Sequence, residues 1–254
     1  MKKIMIASNY DHLREFINQV HVNFDSQGTW IKDSRNKIKK FEVDEMELCV
    51  KSFVKMTVAN RILYSFVRKT KAERSFIYGQ HLLRLGVKTP APISYVEIYN
   101  RFHIIKQAYY ICLYEEYDFH MGNVFRNKMI DENEIIRKFM DSVVNKMHKQ
   151  GIFHRDFNGA NVLVKKNETS NYQFFLVDLN RISFRNAFNE NKGLQHLKQI
   201  SKDPKILMKL AECYANQKNL DTDMTIYKML HFKYKGIISK KLIKKILHFL
   251  RDLF

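Results

Sequence analysis

Glycine, proline and cysteine are all scarce in this chain of 254 residues. Its eight glycines and three prolines argue against long disordered linkers. The three cysteines, Cys49, Cys112 and Cys213, lie far apart in apolar surroundings and form no C-x-x-C motif. We therefore expect free thiols in a reducing compartment, without a disulfide or zinc role.

Long apolar runs are missing as well. The chain begins like a secretion signal, but the apolar run Ile4–Ala7 is too short for the core of one. No stretch approaches the roughly 18 apolar residues that a membrane-spanning helix needs. With 45% apolar and 13% aromatic residues, the sequence predicts a folded, cytosolic protein of one large domain or two lobes.

Acidic residues are fewer than basic ones: the chain has 26 Asp and Glu and 44 Lys and Arg, which gives a net charge of +18. Solubility alone needs a net charge of roughly 2–8. Such an excess steers a protein toward nucleic acid, an anionic bilayer or a phosphorylated glycolipid. Nucleic acid is disfavoured because the sequence has no zinc pattern and no RNP-type aromatic motif.

Residues 1–117 are predicted to form a β-rich lobe with one helix. That helix begins at Thr70, where Glu73 completes a capping box, and it ends before Gly86. The predicted strands are short β-prone runs, and they cover Thr29–Lys32, Ile38–Val43, Glu47–Phe53, Ile93–Ile98 and His103–Tyr114.

Residues 118–254 are predicted to form a mostly helical lobe. Apolar residues at three- and four-residue steps predict a helix over Glu132–Gln150, capped by Asp131 and ended by Gly151. The stripe consists of Ile135, Ile136, Phe139, Met140, Val143, Val144 and Met147. Two short strands, Val162–Val164 and Phe174–Val177, should follow, and the chain beyond about residue 186 is predicted to be helical.

Three polar residues stand out around those strands. Asp156 follows the long helix in I-F-H-R-D-F-N-G-A-N, Asn161 begins the next strand, and Asp178 ends the second one. A carboxylate can accept a proton from an attacking hydroxyl, and carboxylate and amide oxygens can hold Mg²⁺. Each residue alone could simply cap a turn, but the three together indicate phosphoryl transfer. His154 is expected to orient the loop by hydrogen bonding to backbone near Asp178.

These motifs resemble those of the protein-kinase-like superfamily. H-R-D-F-N-G-A-N is similar to its H-R-D-x-x-x-x-N loop, D-L-N at Asp178–Asn180 stands where it has D-F-G, and L-C-V-K at Leu48–Lys51 resembles its V-A-I-K strand. The resemblance implies an α+β, two-lobed fold that uses ATP and Mg²⁺. By it, Asp156 accepts the hydroxyl proton, and Asn161 and Asp178 bind the metal. Lys51 would then grip the ATP phosphates and pair with Glu73.

Within that superfamily, the lipopolysaccharide core kinases are the most similar. The resemblance lies in the run L-G-V-K-T-P-A-P at Leu85–Pro92 and in V-D-L-N-R at Val177–Arg181. It implies transfer of the γ-phosphate to a sugar hydroxyl, of Kdo or heptose, on an anionic glycolipid acceptor. Two alternatives stay open: a kinase of a protein or small metabolite, and a non-catalytic kinase-like scaffold.

The sequence departs from the kinase pattern in three places. D-S-R-N-K-I-K-K replaces a glycine-rich loop, so Lys37, Lys39 or Lys40 either covers the phosphates or belongs to a solvated basic hairpin. Asn158 stands where many protein kinases have a lysine, and no A-P-E follows Asp178. These departures favour a small-molecule or glycolipid acceptor over a protein.

The last segment, Lys233–Phe254, alternates lysines with apolar residues as a basic amphipathic helix does. It is predicted either to bind an anionic membrane surface or to pack on the helical lobe. We accordingly expect a cytoplasmic protein that is peripheral on the inner face of the inner membrane.

Overall fold

A computed structural model describes residues 1–34, 36–53, 56–127, 131–167 and 171–235. The chain divides into two compact units. The first contains Met1–Tyr117 and Phe175–Ile182, and the second contains Asp118–Phe174 and Ser183–Phe254. The predicted boundary at residue 117 puts Phe175–Ile182, the segment that carries Asp178, in the second lobe, whereas the structure puts it in the first unit.

The first unit is built on a sheet of six antiparallel strands. They are β1 (Lys2–Ile6), β2 (Thr29–Lys32), β3 (Lys37–Val43), β4 (Met46–Ser52), β5 (Pro92–Tyr99) and β6 (Ile105–Leu113). Their order is β1-β5-β6-β4-β3-β2. All five predicted strands are confirmed, and the N-terminal apolar run proves to be an edge strand, in which Ile4 pairs with Val96.

Helices cover both faces of this sheet, so the expectation of a single helix in the lobe is wrong. They are α1 (Arg14–Ser26), α2 (Val58–Phe66) and α3 (Lys71–Arg84). Ile17, Val20 and Phe24 of α1 bury their side chains in a core with Leu48 and Val50. The second core, on the α2 and α3 side, includes Tyr64, Phe76, Tyr95 and Tyr110. Because both faces are covered, β5 is buried over most of its length.

The predicted helix α3 is confirmed at both ends. Its N-cap is Thr70, whose Oγ1 accepts a hydrogen bond from the Glu73 N–H at 3.0 Å. That contact satisfies one of the amides that the first turn leaves unpaired. Beyond its last turn, Gly86 adopts a φ of +70°, a conformation that glycine reaches without the steric cost of a Cβ.

The second unit is mainly helical. Its helices are α4 (Met121–Asn127), α5 (Glu132–Phe139), α6 (Asn145–Lys149), α7 (Glu190–Leu197), α8 (Pro204–Lys218) and α9 (residues 222–235). The short strands β7 (Phe119–His120), β8 (Ile152–His154) and β9 (Val162–Lys166) belong to it, whereas β10 (Tyr172–Leu176) and β11 (Ile182–Phe184) each include residues of both units. They form the sheets β10-β9-β7 and β11-β8. Both predicted strands of this region are therefore present.

The predicted long helix is present as α5, a π-helical turn at Met140–Val144, and α6. All seven residues of its apolar stripe are buried. The stripe repeats every four residues, which is longer than the 3.6 residues of an α-helical turn, so the wider π turn keeps it directed at the core. Asp131 makes no side-chain capping bond, contrary to prediction. It accepts a hydrogen bond from the Tyr172 hydroxyl instead.

The predicted basic tail lies outside the described residues from residue 236 onward. Over the ranges that the structure describes, no helix combines the length and apolar character that a membrane crossing requires.

Candidate functional site

The first set of candidate residues, the Asp156 group, lies on the loop after β8 and consists of His154, Asp156, Asn158 and Asn161. Within it, the Asn161 Nδ2 donates to the Asp156 backbone carbonyl at 2.8 Å. Because Nδ2 is the donor in that bond, Oδ1 is the Asn161 atom that can act as ligand to a divalent cation. The structure thus brings Asp156 and Asn161 together, five residues apart.

Asn158 sets the direction of the Asp156 carboxylate. Its Nδ2 donates to Asp156 Oδ1 at 3.1 Å, while its own Oδ1 accepts from the Ala160 N–H at 3.0 Å. A side chain whose amide nitrogen and amide oxygen are both hydrogen-bonded holds a fixed rotamer, so Asn158 orients the Asp156 carboxylate. The sequence identified Asn158 only as a departure from the kinase pattern.

Buried histidines contact the backbone of this loop and of the strand before it. The His154 Nδ1 accepts a hydrogen bond from the Asp156 N–H at 3.1 Å, which is the loop-orienting role expected of it. The partner predicted near Asp178 stays a prediction. The His196 Nε2, on α7, lies 3.1 Å from the His154 N and 3.2 Å from its carbonyl oxygen. His148 Nε2 lies 3.1 Å from the other His196 nitrogen.

The supporting histidines are held neutral. Burial lowers the pKa of His148 to about 3. It also lowers the pKa of His196 well below its ordinary value, with smaller contributions from the neighbouring His148 and His154. A neutral imidazole can donate from one nitrogen and accept at the other, so the contact between His148 and His196 can form without charge. Sequence reasoning missed His196 because it lies 42 residues from His154.

A close backbone approach fixes the loop from the other side. A Cβ built on Gly159 would come within 2.6 Å of both the N and Cα atoms of Gly122, in the first turn of α4. Real Cβ atoms are essentially never that close to backbone. Glycine at 159 therefore lets the loop pack directly against α4, which holds Asp156 and Asn161 in place.

The second set, the Lys51 group, lies in the first unit and consists of Lys51, Arg74, Asp178 and Asn180. The Lys51 Nζ contacts Asp178 Oδ1 at 2.6 Å although the two residues are 127 positions apart. The Asn180 Nδ2 donates to the same oxygen at 2.7 Å. Asp178 itself has a φ of +60°, which aspartate tolerates better than most residues.

Arg74 connects α3 to the Asp178 segment. Its Nη1 donates to the Asn180 carbonyl at 2.9 Å and its Nε to the Thr70 carbonyl at 3.3 Å. Arg74 is 7% exposed, and its guanidinium lies over the Tyr64 ring. Gly79 allows α3 to pack closely against this segment, because a Cβ there would come within 3.1 Å of Leu179 and 2.5 Å of Pro92. The sequence analysis did not identify Arg74, although it directly follows Glu73 in the chain.

Glu73 has other partners than the one that the resemblance implied. Its carboxylate lies 3.6 Å from Lys3 and 3.4 Å from Lys69. Among the residues that the structure describes, Lys51 pairs with Asp178 and not with Glu73. The cause is the direction of the helix face, since Arg74 faces the Asp178 segment and Glu73 faces β1.

The basic hairpin β2–β3 is not simply solvated. Lys39 is 3% exposed and donates to the Asp25 and Gln27 carbonyls at the end of α1. Lys40 pairs with Glu47, and the Lys37 Nζ lies 5.3 Å from the Trp30 ring centroid. Lys39 is therefore a structural residue that satisfies helix-end carbonyls.

The two groups offer few ligands for a metal on their own. Within the described ranges, no cluster of three or more His, Cys, Asp or Glu side chains is arranged to hold an ion. Mg²⁺ commonly takes one or two protein oxygens and completes its shell with phosphates and water. A carboxylate such as that of Asp178 and an amide oxygen such as that of Asn161 are each ligands of the kind that Mg²⁺ accepts.

The fold is that of the protein-kinase-like proteins, with a β-sheet lobe and a helical lobe. A solved structure of WaaP in complex with acyl carrier protein superimposes with a TM-score of 0.57 at 15% identity, over 95% of this chain and 97% of the other. A Stt7 homologue from Micromonas algae, soaked with ATP, gives 0.43 at 12% identity, over 60% and 48% of the two chains. The yeast RNA polymerase II CTD kinase CTDK-1 gives 0.44 at 14%, over 80% and 68%.

The comparison with family models matches a smaller part of the chain. Residues 131–220 match the family model described as the lipopolysaccharide kinase (Kdo/WaaP) family, which confirms the resemblance predicted from the sequence. The matched segment includes Asp156, Asn161 and Asp178, and it excludes Lys51 and Arg74. No curated protein matches the chain.

Proposed function

We propose that this protein is an ATP- and Mg²⁺-dependent kinase that phosphorylates a sugar hydroxyl, of Kdo or heptose, in the lipopolysaccharide inner core. The observation that carries the proposal is the 2.6 Å contact between Lys51 and Asp178. Those two residues were identified from separate motifs as the phosphate-binding cation and a metal ligand. Their meeting supports a nucleotide site, because one Mg·ATP needs both.

Each residue is given one role. Asp156, oriented by Asn158, accepts the proton of the sugar hydroxyl. The hydroxyl oxygen then forms a bond to the γ-phosphorus of ATP. The bond from that phosphorus to the bridging oxygen breaks, and ADP is the leaving group. Lys51 contacts the phosphates, and Asp178 and Asn161 would hold Mg²⁺. When bound, the ion neutralises charge on the phosphate oxygens.

Glu73 keeps only an indirect role in this proposal. Its carboxylate contacts Lys3 and Lys69, so it would act on nucleotide binding through the position of α3. Arg74 is the residue through which α3 reaches the Asp178 segment. The two neighbours can be compared by substitution, as described in the Discussion.

The acceptor is inferred from the family match and the charge. A net charge of +18 supports an anionic glycolipid acceptor and a peripheral position on the inner face of the inner membrane. The predicted basic tail would contribute to that position. Since the similar WaaP structure is a complex with acyl carrier protein, acyl carrier protein is a further partner to be tested.

The test is transfer of label from ATP, with Mg²⁺, to purified Kdo–lipid A. Label should enter the lipid, and Asp156→Ala should lower the rate by about 10³-fold while ATP binding is retained. Asp178→Ala should also weaken Mg·ATP binding, whereas the exposed Asp223→Ala should behave like the parent. Label found in protein alone would favour a protein acceptor. An unchanged rate in Asp156→Ala would refute the assignment.

A further inference from the structure

Helix α2 turns its apolar side away from the protein. Val58, Ile62 and Phe66 recur every four residues and are 73%, 49% and 66% exposed. Steps of four residues advance only about 40° around a helix, so the three side chains form one stripe. Tyr64, on the opposite side, is buried in the core. An exposed stripe of this kind is unusual in a soluble protein unless it has a binding role.

The polar residues of α2 are the ones drawn inward. Asn60, Arg61 and Ser65 are all half-buried. Ser65 uses its hydroxyl fully, donating to the Arg61 carbonyl at 2.6 Å and accepting from the Ile105 N–H at 2.9 Å. The normal arrangement of a surface helix is therefore reversed. These bonds also make the orientation of α2 specific, since turning it would break them.

The turn between β5 and β6 presents another exposed aromatic side chain close to α2. The bond from Ile105 to Ser65 ties this turn to α2. Asn100 Oδ1 accepts from the N–H groups of Phe102 and Ile104, both at 2.9 Å, which gives the turn a fixed shape. Phe102 at its tip is 62% exposed. We name Val58, Ile62, Phe66, Val67 and Phe102 the α2 surface; Val67, the C-cap of α2, is 77% exposed.

Among the described residues of the two segments that carry the α2 surface, the exposed charged side chains are positive. Residues 54–72 and 98–114 contain no Asp or Glu. They contribute the exposed side chains of Arg68, Lys69, Arg101 and Lys106.

The acids nearest in sequence to Val67 and to Phe102 turn inward. The side chains of Glu73 and Glu97 are 13% and 1% exposed and are held by Lys3. Glu97 also accepts from the Thr70 and Tyr99 hydroxyls. Over the described residues of these segments, the outer face thus combines exposed apolar and basic side chains.

We propose that the α2 surface docks on an anionic lipid bilayer. Apolar side chains backed by cations fit the boundary between headgroups and acyl chains, where helices lie in the interface plane. Val58, Ile62, Phe66 and Phe102 enter that boundary, and Arg68 and Arg101 contact lipid phosphates. This docking needs no nucleotide and no phosphoryl transfer, so it can fail or hold independently of the proposed kinase activity.

The first test is co-sedimentation of the full chain with vesicles of phosphatidylglycerol and phosphatidylcholine. The variant Ile62→Ser/Phe66→Ser should bind at least about 10-fold more weakly than the parent, because interfacial affinity scales with buried apolar area. The matched control is Val22→Ser/Met224→Ser, whose parent side chains are 61% and 50% exposed. It should bind like the parent. Pure phosphatidylcholine vesicles and added salt should each weaken binding.

The second test places a fluorophore on the surface. The chain has one tryptophan, Trp30, so Trp30→Phe/Phe66→Trp carries a single reporter on α2. Its emission should shift to shorter wavelength on vesicles and be quenched by brominated lipid, while Trp30→Phe/Val22→Trp should show neither change.

Two outcomes would overturn the proposal. One is parent-like vesicle binding by Ile62→Ser/Phe66→Ser together with an unshifted emission from the Trp30→Phe/Phe66→Trp reporter. The other is the absence of vesicle binding by the parent, with the α2 variant losing affinity for acyl carrier protein instead; this would make the surface a protein-docking site.

Discussion

The Asp156 group and the Lys51 group are held by different kinds of interaction. Asp156 is positioned by backbone hydrogen bonds, the Asn158 amide and a chain of buried histidines that are neutral. Lys51 is positioned by an ion pair with Asp178, which in turn is held by Asn180. The buried Arg74 holds the Asn180 carbonyl. One group is therefore fixed by shape and the other by charge.

This difference decides what each group tolerates. A group held through short, directional backbone contacts should be sensitive to small displacements of its loop. A group held by charges should be sensitive to loss of a charge, because the partner is then left partly buried and unpaired. Substitutions of each kind in each group would show whether the distinction holds.

The largest effect is expected from Lys51→Met. The side chain keeps its approximate length but loses the cation that the proposed function assigns to the ATP phosphates, so kcat/KM for ATP should fall by about 10³-fold. Lys32→Met, on the exposed strand β2, serves as the control and should retain full activity. A loss smaller than tenfold would remove Lys51 from the proposed nucleotide site.

The next effect in size is expected from Gly159→Ala, a change of shape without a change of charge. The added methyl group must displace the loop from Gly122, and a displacement of about 1 Å can cost about 10²-fold in kcat. Gly122→Ala is the matched control, because its Cβ would lie 3.4 Å from Gly159, in ordinary contact. Equal activities of the two variants would show that the loop is not fixed by this approach.

The Asp156 group was predicted more completely than the Lys51 group for a physical reason. His154, Asp156 and Asn161 lie within eight consecutive residues, so their spacing alone carries the geometry. Lys51 and Asp178 are 127 residues apart, and only the family resemblance connected them. The partner of Lys51 was then wrongly expected to be Glu73.

The elements of the fold were likewise predicted best where the pattern lies within one element. The stripe over α5 and α6 predicted a buried helix face because every member lies on one element. Helix α1 carries a comparable signal in Ile17, Val20 and Phe24, which was overlooked in favour of the β-prone runs that follow. Helix α2 is amphipathic too, but its apolar residues face outward, so the pattern alone would have assigned the wrong face of this helix to the core. Single-element patterns were informative, whereas pairings across the chain required the structure.

A smaller effect is expected from Arg74→Met, compared with its neighbour Glu73→Gln. Loss of the charged hydrogen bond to the Asn180 carbonyl should raise KM for ATP by about 10-fold, since such bonds contribute about 1.5–3 kcal/mol. Glu73 pairs with Lys3 and Lys69, which are 48% and 59% exposed. Exposed pairs contribute about 0–1 kcal/mol, so its KM should change less than about 5-fold. The reverse order would restore to Glu73 the role implied by the kinase resemblance.

The smallest effect concerns the neutral histidines beneath the Asp156 loop. The pKa values of His148 and His196 in the folded protein lie below the ordinary 6.5, so the unfolded chain takes up protons first as the pH falls. The contribution of these histidines to the free energy of unfolding is therefore fully present above pH 6.5. It declines below that pH, toward pH 3 for His148, by up to about 1.4 kcal/mol per histidine per pH unit.

Urea unfolding followed by circular dichroism at pH 7.5, 6.5 and 5.5 measures this decline before most carboxylates titrate. His148→Phe removes one of the groups, so its free energy of unfolding should fall less steeply between pH 6.5 and 5.5, whatever its value at pH 7.5. His231→Gln, on an exposed side chain, should leave the slope unchanged. Equal slopes in the parent and His148→Phe would mean that the loop does not depend on uncharged imidazoles, and the contrast between a group fixed by shape and one fixed by charge would lose its firmest support.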